Sequence, residues 1–239
     1  MKSDATFGVI GAMEAEVSQL RDKLADRRDT EYSGLTFYEG GLGKHRVVLV
    51  RSGVGKVNAA RCCQILIDRF NVDCVVNTGI AGGVGEGLAV ADVVIGTELL
   101  EHDFDVRTFG YARGNICDRA HADRPTLFRS DPELCALFRS AAEELLGAER
   151  VKTGRIATGD VFVASPEHKR DIARTFGAAA AEMEGGAIAH TAQCAGVPFV
   201  VVRAISDLAD GSIPPSFERF EQETADLSAA IIEKMISSQ

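Results

Sequence analysis

The segment PFVVVRAISDLAD, residues 198–210, decides the fold. Pro198 opens it, and residues 199–205 form a β-branched, apolar run of the kind buried inside a sheet. Asp207 follows that run directly. A carboxylate at the end of a core strand is solvated by protein rather than by water, and it can titrate outside its ordinary range. In open α/β sheets the ligand crevice also lies at strand ends. Two other segments repeat the arrangement: ATFGVIG (5–11) runs into GAMEAE (11–16) and Glu16, and GAAAA (177–181) runs into AEMEGGAIAH (181–190) and Glu184. One such acid fits a helix cap or a solvated surface equally well. Three of them, each at a strand exit, point to an active site.

Outward from these segments, a strand at 6–11 feeds a helix starting near Met13, with Val17, Leu20 and Leu24 on one face. Residues 35–39 and 46–51 read as a strand pair around the turn GGLGK (40–44). A helix over 57–70 follows SGVGK, and buried strands are expected at 72–78 and 90–96. Residues 102–124 form a long polar connection, a feature that in compact domains is usually functional or faces a partner. A helix over 131–146 has Ser130 as its candidate cap, strands follow at 152–157 and 178–182, a helix starts near Glu184, and the last helix spans 217–235. Strands alternate with helices throughout, which predicts an α/β fold whose largely parallel sheet is covered on both faces. No repeat or compositional break divides the chain, so residues 1–239 are expected to form one domain.

Composition excludes several classes. A net charge of −9 offers no basic surface for nucleic acid. No apolar run approaches the roughly 18–20 residues of a membrane span. Asp4, Gly8 and Gly11 interrupt the start, so no signal peptide is expected. Six cysteines show neither a CxxC pair nor zinc spacing, which suits the reducing cytoplasm. His102, Asp103 and Asp105 resemble a metal cluster, but ordinary loop hydrogen bonding accounts for them, and no metal or cofactor is expected. The glycine-rich NTGIAGGVGEGL (77–88) lacks a true GxGxxG, and Glu86 would repel a pyrophosphate. Its glycines fit either a close backbone approach to a ligand or a simple strand-to-loop turn.

Taken in order, GAMEAEV, SGVGKVNAA (52–60), NTGIAGG (77–83), HDFDV (102–106) with FGY (109–111), TGD (158–160) with Phe162, AEMEGGAIAH, VPFVVVRAISDLAD and SFERF (216–220) resemble the bacterial 5′-methylthioadenosine/S-adenosylhomocysteine nucleosidases. The resemblance runs from Thr6 into the C-terminal helix. It implies a single-domain, three-layer αβα sandwich with a central mixed, largely parallel sheet, like that of the nucleoside phosphorylases. It also implies a homodimer and irreversible hydrolysis that releases adenine from thio-substituted adenosines.

Elementary chemistry agrees with that implication. Breaking an N-glycosidic bond needs an acid on the departing base and a water-activating carboxylate across the anomeric carbon. By resemblance, Asp207 is the acid that protonates adenine N7, and Glu16 is the base that deprotonates water. Glu184 would grip the ribose hydroxyls and stabilise the developing cation. Glu182 and Met183 belong to the same substrate-facing run. Ser206 and Arg203 would position the carboxylates, although Arg203 equally fits a structural ion pair. The backbone at Phe162 and Val163 would read adenine, with Phe162 stacked on the base or else part of the core. Ala81 and Gly82 would line the base and ribose. Val54 and Phe217, with Val106 and Phe109 of the other subunit, would form the apolar slot for the alkylthio group; ordinary core packing is the alternative for these side chains.

This sequence departs from the family at Ile80, where a small or hydroxyl residue is usual, and at Arg113, Cys117 and the run NICDRAHADRP (115–125). Both departures bear on the 5′ end of the pocket. A futalosine-type nucleosidase, a purine nucleoside phosphorylase and a non-catalytic nucleoside-binding protein remain as rivals. Retention of all three acids speaks against a mere binder, and Glu14 and Glu16 after the first strand speak against a phosphate grip.

Overall fold

The computed structural model describes residues 4–209, 211 and 217–238, with the backbone alone described at 217–222 and 224. In chain order the elements are β1 (Thr6–Gly11), α1 (Glu14–Asp22), β2 (Ala25–Tyr32), β3 (Leu35–Leu42), β4 (His45–Arg51), α2 (Lys56–Phe70), β5 (Cys74–Gly83), β6 (Val93–Glu101), β7 (Phe128–Arg129), α3 (Pro132–Leu146), β8 (Val151–Thr158), α4 (Pro166–Phe176), β9 (Ala178–Glu182), α5 (Gly185–Cys194), β10 (Phe199–Asp207) and α6 (Phe217–Ser237).

Every residue of β10 is buried, as its apolar run predicts. Successive residues serve opposite layers. Val200, Val202 and Ala204 pack with Val17 and Leu20 of α1, Phe138 of α3 and Met235 of α6. Val201 and Ile205 pack with Leu66 of α2 and Ile188 of α5. Helices therefore cover both faces of the sheet, as expected of a three-layer α/β fold.

Strand direction adds what periodicity alone does not give. One parallel block runs β4, β1, β5, β10, and a second runs β6, β8, β9. The blocks join through antiparallel ladders at β10–β6 and β5–β9, so this part of the sheet closes on itself. In the β5–β9 ladder, Gly82 pairs with Ala181 and Gly83 with Ala180, which brings the C-terminal ends of β5 and β9 together. That seam is where the acid-bearing strand exits collect. On the other side, β3 and β2 extend the sheet antiparallel from β4.

Three elements have no counterpart in the sequence reading: the two-residue strand β7, the strand β2 and the helix α4. The strand β2 reads ADRRDTEY and is exposed along nearly its whole length, so it lacks apolar alternation; its charges instead guard a free sheet edge. The helix α4 buries Ile172 and Phe176 but is otherwise charged; its ends carry Ser165 accepting from His168 N, Pro166 in the first turn, and Gly177 in the left-handed region. The cap of α3 is Asp131, whose Oδ1 accepts from Leu134 N at 2.9 Å, rather than Ser130, which is buried beside it.

The polar connection after β6 is closed by one buried asparagine. Asn115 donates to the carbonyls of His121 (2.8 Å) and Arg124 (2.7 Å), and its Oδ1 accepts from Asp118 N (2.7 Å). At the start of the connection, His102 is 1% exposed. A Cβ on Gly159 would lie 2.4 Å from His102 Nε2, so the ring packs directly on the turn after β8. Asp103 is engaged by Lys56 and Asp105 by Arg107, so His102, Asp103 and Asp105 are separately committed.

Burial pushes the His102 pKa down to about 4, aided by the nearby charges of His168, Arg113 and Lys56 and opposed by Asp103. An unfolded histidine titrates near 6.5. Between pH 6.5 and about 4 the unfolded chain therefore binds a proton that the folded chain refuses, and stability falls as pH falls through that window. The His102 contribution to this slope approaches about 1.4 kcal/mol per pH unit. In His102→Leu, melting temperature should decline less steeply than in the wild type between pH 6.5 and 4. Parallel curves would refute this assignment.

Candidate active site

Where the strand ends meet at the seam lies a cavity of about 220 Å³. Its lining includes four carboxylates, Glu16, Glu182, Glu184 and Asp207, and among the described residues no lysine or arginine. A larger, more open cleft of about 860 Å³ runs past Thr97, Arg129, Asp131 and Arg139. Its two acids are already committed, Asp131 as the α3 cap and Glu98 to Arg155. The smaller cavity is the one with converging chemistry.

Glu16 lies in the first turn of α1 and folds back on the end of β1. Its Oε2 accepts from Ala12 N (2.6 Å) and Met13 N (3.0 Å), and its Oε1 from Ile80 N (3.2 Å). A Cβ on Gly79 would sit 2.5 Å from Oε1, so glycine is required there for close approach. Burial raises the Glu16 pKa above the usual carboxylate range, against the opposing pull of Arg203 and the three backbone N–H groups.

Behind the cavity lies Arg203, an arginine 1% exposed within the apolar β10. Its guanidinium pairs with Glu182 Oε2, donates to Asn77 Oδ1 at 2.6 Å, and lies 3.9 Å from Glu184 Oε2. Burial opposes its charge, but Glu182, Glu184 and Glu16 outweigh burial and hold it protonated. Glu182 also takes the Thr158 hydroxyl and the backbone N–H groups of Glu184 (3.1 Å) and Gly185 (2.7 Å). It therefore anchors the N-terminus of α5, where a negative charge is favoured. Glu184 is the N-cap residue of α5, and its Oε1 accepts from Gly55 N at 2.8 Å. Burial, then the charge of Glu182, raise the Glu184 pKa to about 7, opposed by Arg203 and the Gly55 N–H.

Asp207 owes its position to an irregularity in β10. Consecutive strand residues normally face opposite sides, yet Ser206 and Asp207 both line the cavity. The β10–β5 register shifts between Ile205 and Asp207, and such bulges re-aim side chains beside active sites. Ser206 Oγ donates to Asp207 Oδ2 (2.8 Å), and Ala209 N donates to Oδ1 (2.8 Å).

Of the other candidates, Val54, Ala81, Gly82, Phe162 and Met183 line the cavity, with Phe162 53% exposed at its mouth. The Val163 side chain packs instead in the core with Ile172 and Phe176, which leaves its backbone as the part near the cavity mouth. Val106 and Phe109 do not line the cavity of their own chain, and Phe109 is 79% exposed. Phe217 opens α6, and its side chain lies outside the described residues. The sequence reading gives no role to Ala12, Met13 and Ala181, which also contribute to the lining. Nor does it assign Thr158, Asp160 or Lys56, although the glycine-flanked runs TGD and SGVGK that hold them are visible.

The sequence profile of the phosphorylase superfamily matches residues 6–237. A 5′-methylthioadenosine/S-adenosylhomocysteine nucleosidase of Exiguobacterium is 45% identical over 224 residues, covering 93% of each chain. The crystal structure of the Neisseria meningitidis nucleosidase of that name, in complex with methylthio-immucillin-A, matches with a TM-score of 0.91 at 42% identity, covering 98% of this chain and 100% of the other. A futalosine hydrolase mutant of Helicobacter pylori matches with the same TM-score at 30% identity, covering 98% and 100%. With its fold, its site and this breadth of similarity, the chain belongs to the 5′-methylthioadenosine/S-adenosylhomocysteine nucleosidase family of the phosphorylase superfamily.

Proposed function

We propose that this protein hydrolyses the N-glycosidic bond of 5′-methylthioadenosine and S-adenosylhomocysteine, releasing adenine and the thioribose product. The observation that carries this reading is a cavity with four buried carboxylates and, among the described residues, no basic side chain in its lining. Such a site suits a positively charged oxocarbenium-like transition state and an uncharged nucleophile, and it disfavours phosphate. The relatives at 42–45% identity are named for 5′-methylthioadenosine and S-adenosylhomocysteine, which supports the choice of substrate.

On this reading Asp207 gives its proton to adenine N7 as the bond breaks, and Glu16 takes a proton from the attacking water. Glu16 is anchored at Ile80 and Asp207 lies against Gly82 of the same strand. Two residues of extended chain separate these anchors by roughly 7 Å, a span that leaves room for sugar and water between the carboxyls, as in inverting glycosidases. Glu184 receives the ribose hydroxyls beside Met183, with Arg203 and Ser206 holding the acids in place. Phe162 stacks on adenine, and the Phe162–Val163 backbone meets its edge. Val54 and the partner subunit's Val106 and Phe109 enclose the alkylthio group. We further infer the reducing cytoplasm as its compartment, since all six cysteines are free thiols.

The test is product analysis. Adenine should appear from both substrates at a rate independent of added phosphate, and futalosine should be a poor source of hypoxanthine. Formation of a ribose 1-phosphate, or a preference for futalosine, would overturn the reading. Asp207→Asn and Glu16→Gln should each lower kcat by on the order of 10²–10⁴-fold. Because Glu16 must be ionised and its pKa is raised, the acid limb of kcat/KM should fall off above the ordinary carboxylate range.

A homodimer with composite pockets is part of the same proposal. Val57 (80% exposed) and Phe109 (79%) stand on segments tied together through Lys56 and Asp103, next to Val161 and Phe162 at the cavity mouth. Contiguous apolar exposure of this kind marks an association surface. Sedimentation should give a dimer at assay concentrations, and Phe109→Ala should weaken association and raise KM more than it lowers kcat. A fully active monomer would refute the composite pocket.

A further inference from the structure

The helix α2 starts without a capping side chain. Its N-cap is Gly55, at φ 98°, and the first N–H groups need acceptors from elsewhere. Gly55 N donates to Glu184 Oε1 (2.8 Å), and Lys56 N donates to Asp160 Oδ1 (2.8 Å). A cavity acid thus serves as half of a helix cap, and its place depends on where α2 begins.

The Lys56 side chain fixes that beginning. Its Nζ donates to Asp103 Oδ1 (2.7 Å) and Glu101 Oε2 (3.0 Å) at the end of β6. Asp103 Oδ2 accepts from Asp160 N (2.9 Å), which locks the turn after β8 to the same lysine. Glu101 Oε1 lies 3.4 Å from His190 Nδ1 on α5, the helix that Glu184 begins. The contacts form a closed ring: Glu184, α5, His190, Glu101, Lys56, Gly55 and back to Glu184. The side chains of Lys56 and Glu101 are only 17% and 12% exposed, so solvent does not dissolve these pairs as it does at an open surface. Glu101, Asp103 and Asp160 converge on this one lysine. Without its charge, the acids are left to repel one another.

We propose that Lys56 is a positioning residue for Glu184, acting through the start of α2 and never touching substrate itself. This rests on the assignment of Glu184 to the sugar. The same ring ties the segment carrying Val106 and Phe109 to the cavity acids, so it links the pocket to the surface facing a second copy. Loss of Lys56 lets Gly55 N drift from Glu184. That N–H favours the ionised carboxylate, so its loss raises the pH at which Glu184 titrates.

Lys56→Met should lower kcat/KM about 10- to 100-fold, the scale expected when a catalytic group is misplaced by an ångström or less. It should also move the Glu184 carboxyl titration, followed by carbon-13 NMR and assigned with Glu184→Gln, to higher pH. Lys56→Arg, which keeps the charge, should recover part of both effects. Asp103→Asn should shift the titration in the same direction by less, and it decides the matter if Lys56→Met does not fold. An unchanged Glu184 titration and an unchanged rate in a folded variant would overturn the proposal. The wild-type rate of adenine release tests the functional reading separately, and the NMR titration does not depend on it.

Discussion

A single buried cation organises the cavity. Arg203 sits in the middle of an apolar strand with its side chain 1% exposed, and a charge in that position persists only if paired and hydrogen-bonded. Glu182 supplies the pair, Asn77 and the Val202 carbonyl supply further acceptors, and Glu184 and Glu16 contribute from a greater distance. Glu182 therefore has two tasks: it neutralises Arg203, and it receives the N–H groups that open α5. Removing the arginine would leave acids facing one another in a dry space, and removing Glu182 would leave the arginine unpaired. The cavity carboxylates are held close together because this charge is held between them.

The fold makes that cluster possible through its seam. In a uniformly parallel sheet, adjacent strand ends fan apart along one edge. Here two parallel blocks meet antiparallel, and the ends of β5 and β9 abut at Gly82 and Ala181. Acids at the ends of three strands, β1, β9 and β10, thereby reach one small cavity. The glycines at the seam are part of the same constraint: a Cβ on Gly82 would lie 3.1 Å from the Ala209 side chain and 3.2 Å from Asp207 Oδ1. The bulge at Ser206 then turns two successive residues into the cavity, so that a hydroxyl and a carboxylate from one strand face the same space.

What the sequence discloses follows from how each feature is held. The strands β1, β5 and β10 are legible because burial on both faces leaves a largely apolar run, and Glu16, Glu184 and Asp207 stand out because they come at the ends of such runs. The alternation of strands with helices discloses the largely parallel sheet, but period-2 burial is the same for either direction, so the antiparallel joins that make the seam are invisible until the strands are placed. The strand β2 and the helix α4 are missed for a different reason: each faces solvent along most of its length, and its sequence carries charge where the reading looks for apolar spacing. Lys56, Asp103 and Asp160 have the composition of any surface loop. Their importance comes from convergence across more than a hundred residues of chain, which no local pattern records.

The electrostatics of the cavity bear most directly on the choice of nucleophile. Four carboxylates face the cavity, and Arg203 stands behind the lining, with its donors already directed at Glu182, Asn77 and backbone. A phosphate dianion entering this space would meet like charge and find, among the described residues, no free guanidinium or ammonium in the lining, whereas water enters without charge. Burial raises the pKa of Glu16, and burial with the charges of Glu182 and Glu16 raises that of Glu184, so these carboxyls hold protons more readily than free ones and relieve part of the repulsion in the resting site. On the proposed mechanism, a ribosyl cation forming between them would reverse the balance, because each carboxylate would then gain an opposite charge in a medium of low dielectric. A site that is electrostatically uncomfortable when empty is thus complementary to the charge that appears only as the glycosidic bond breaks, and that differential is what accelerates a reaction.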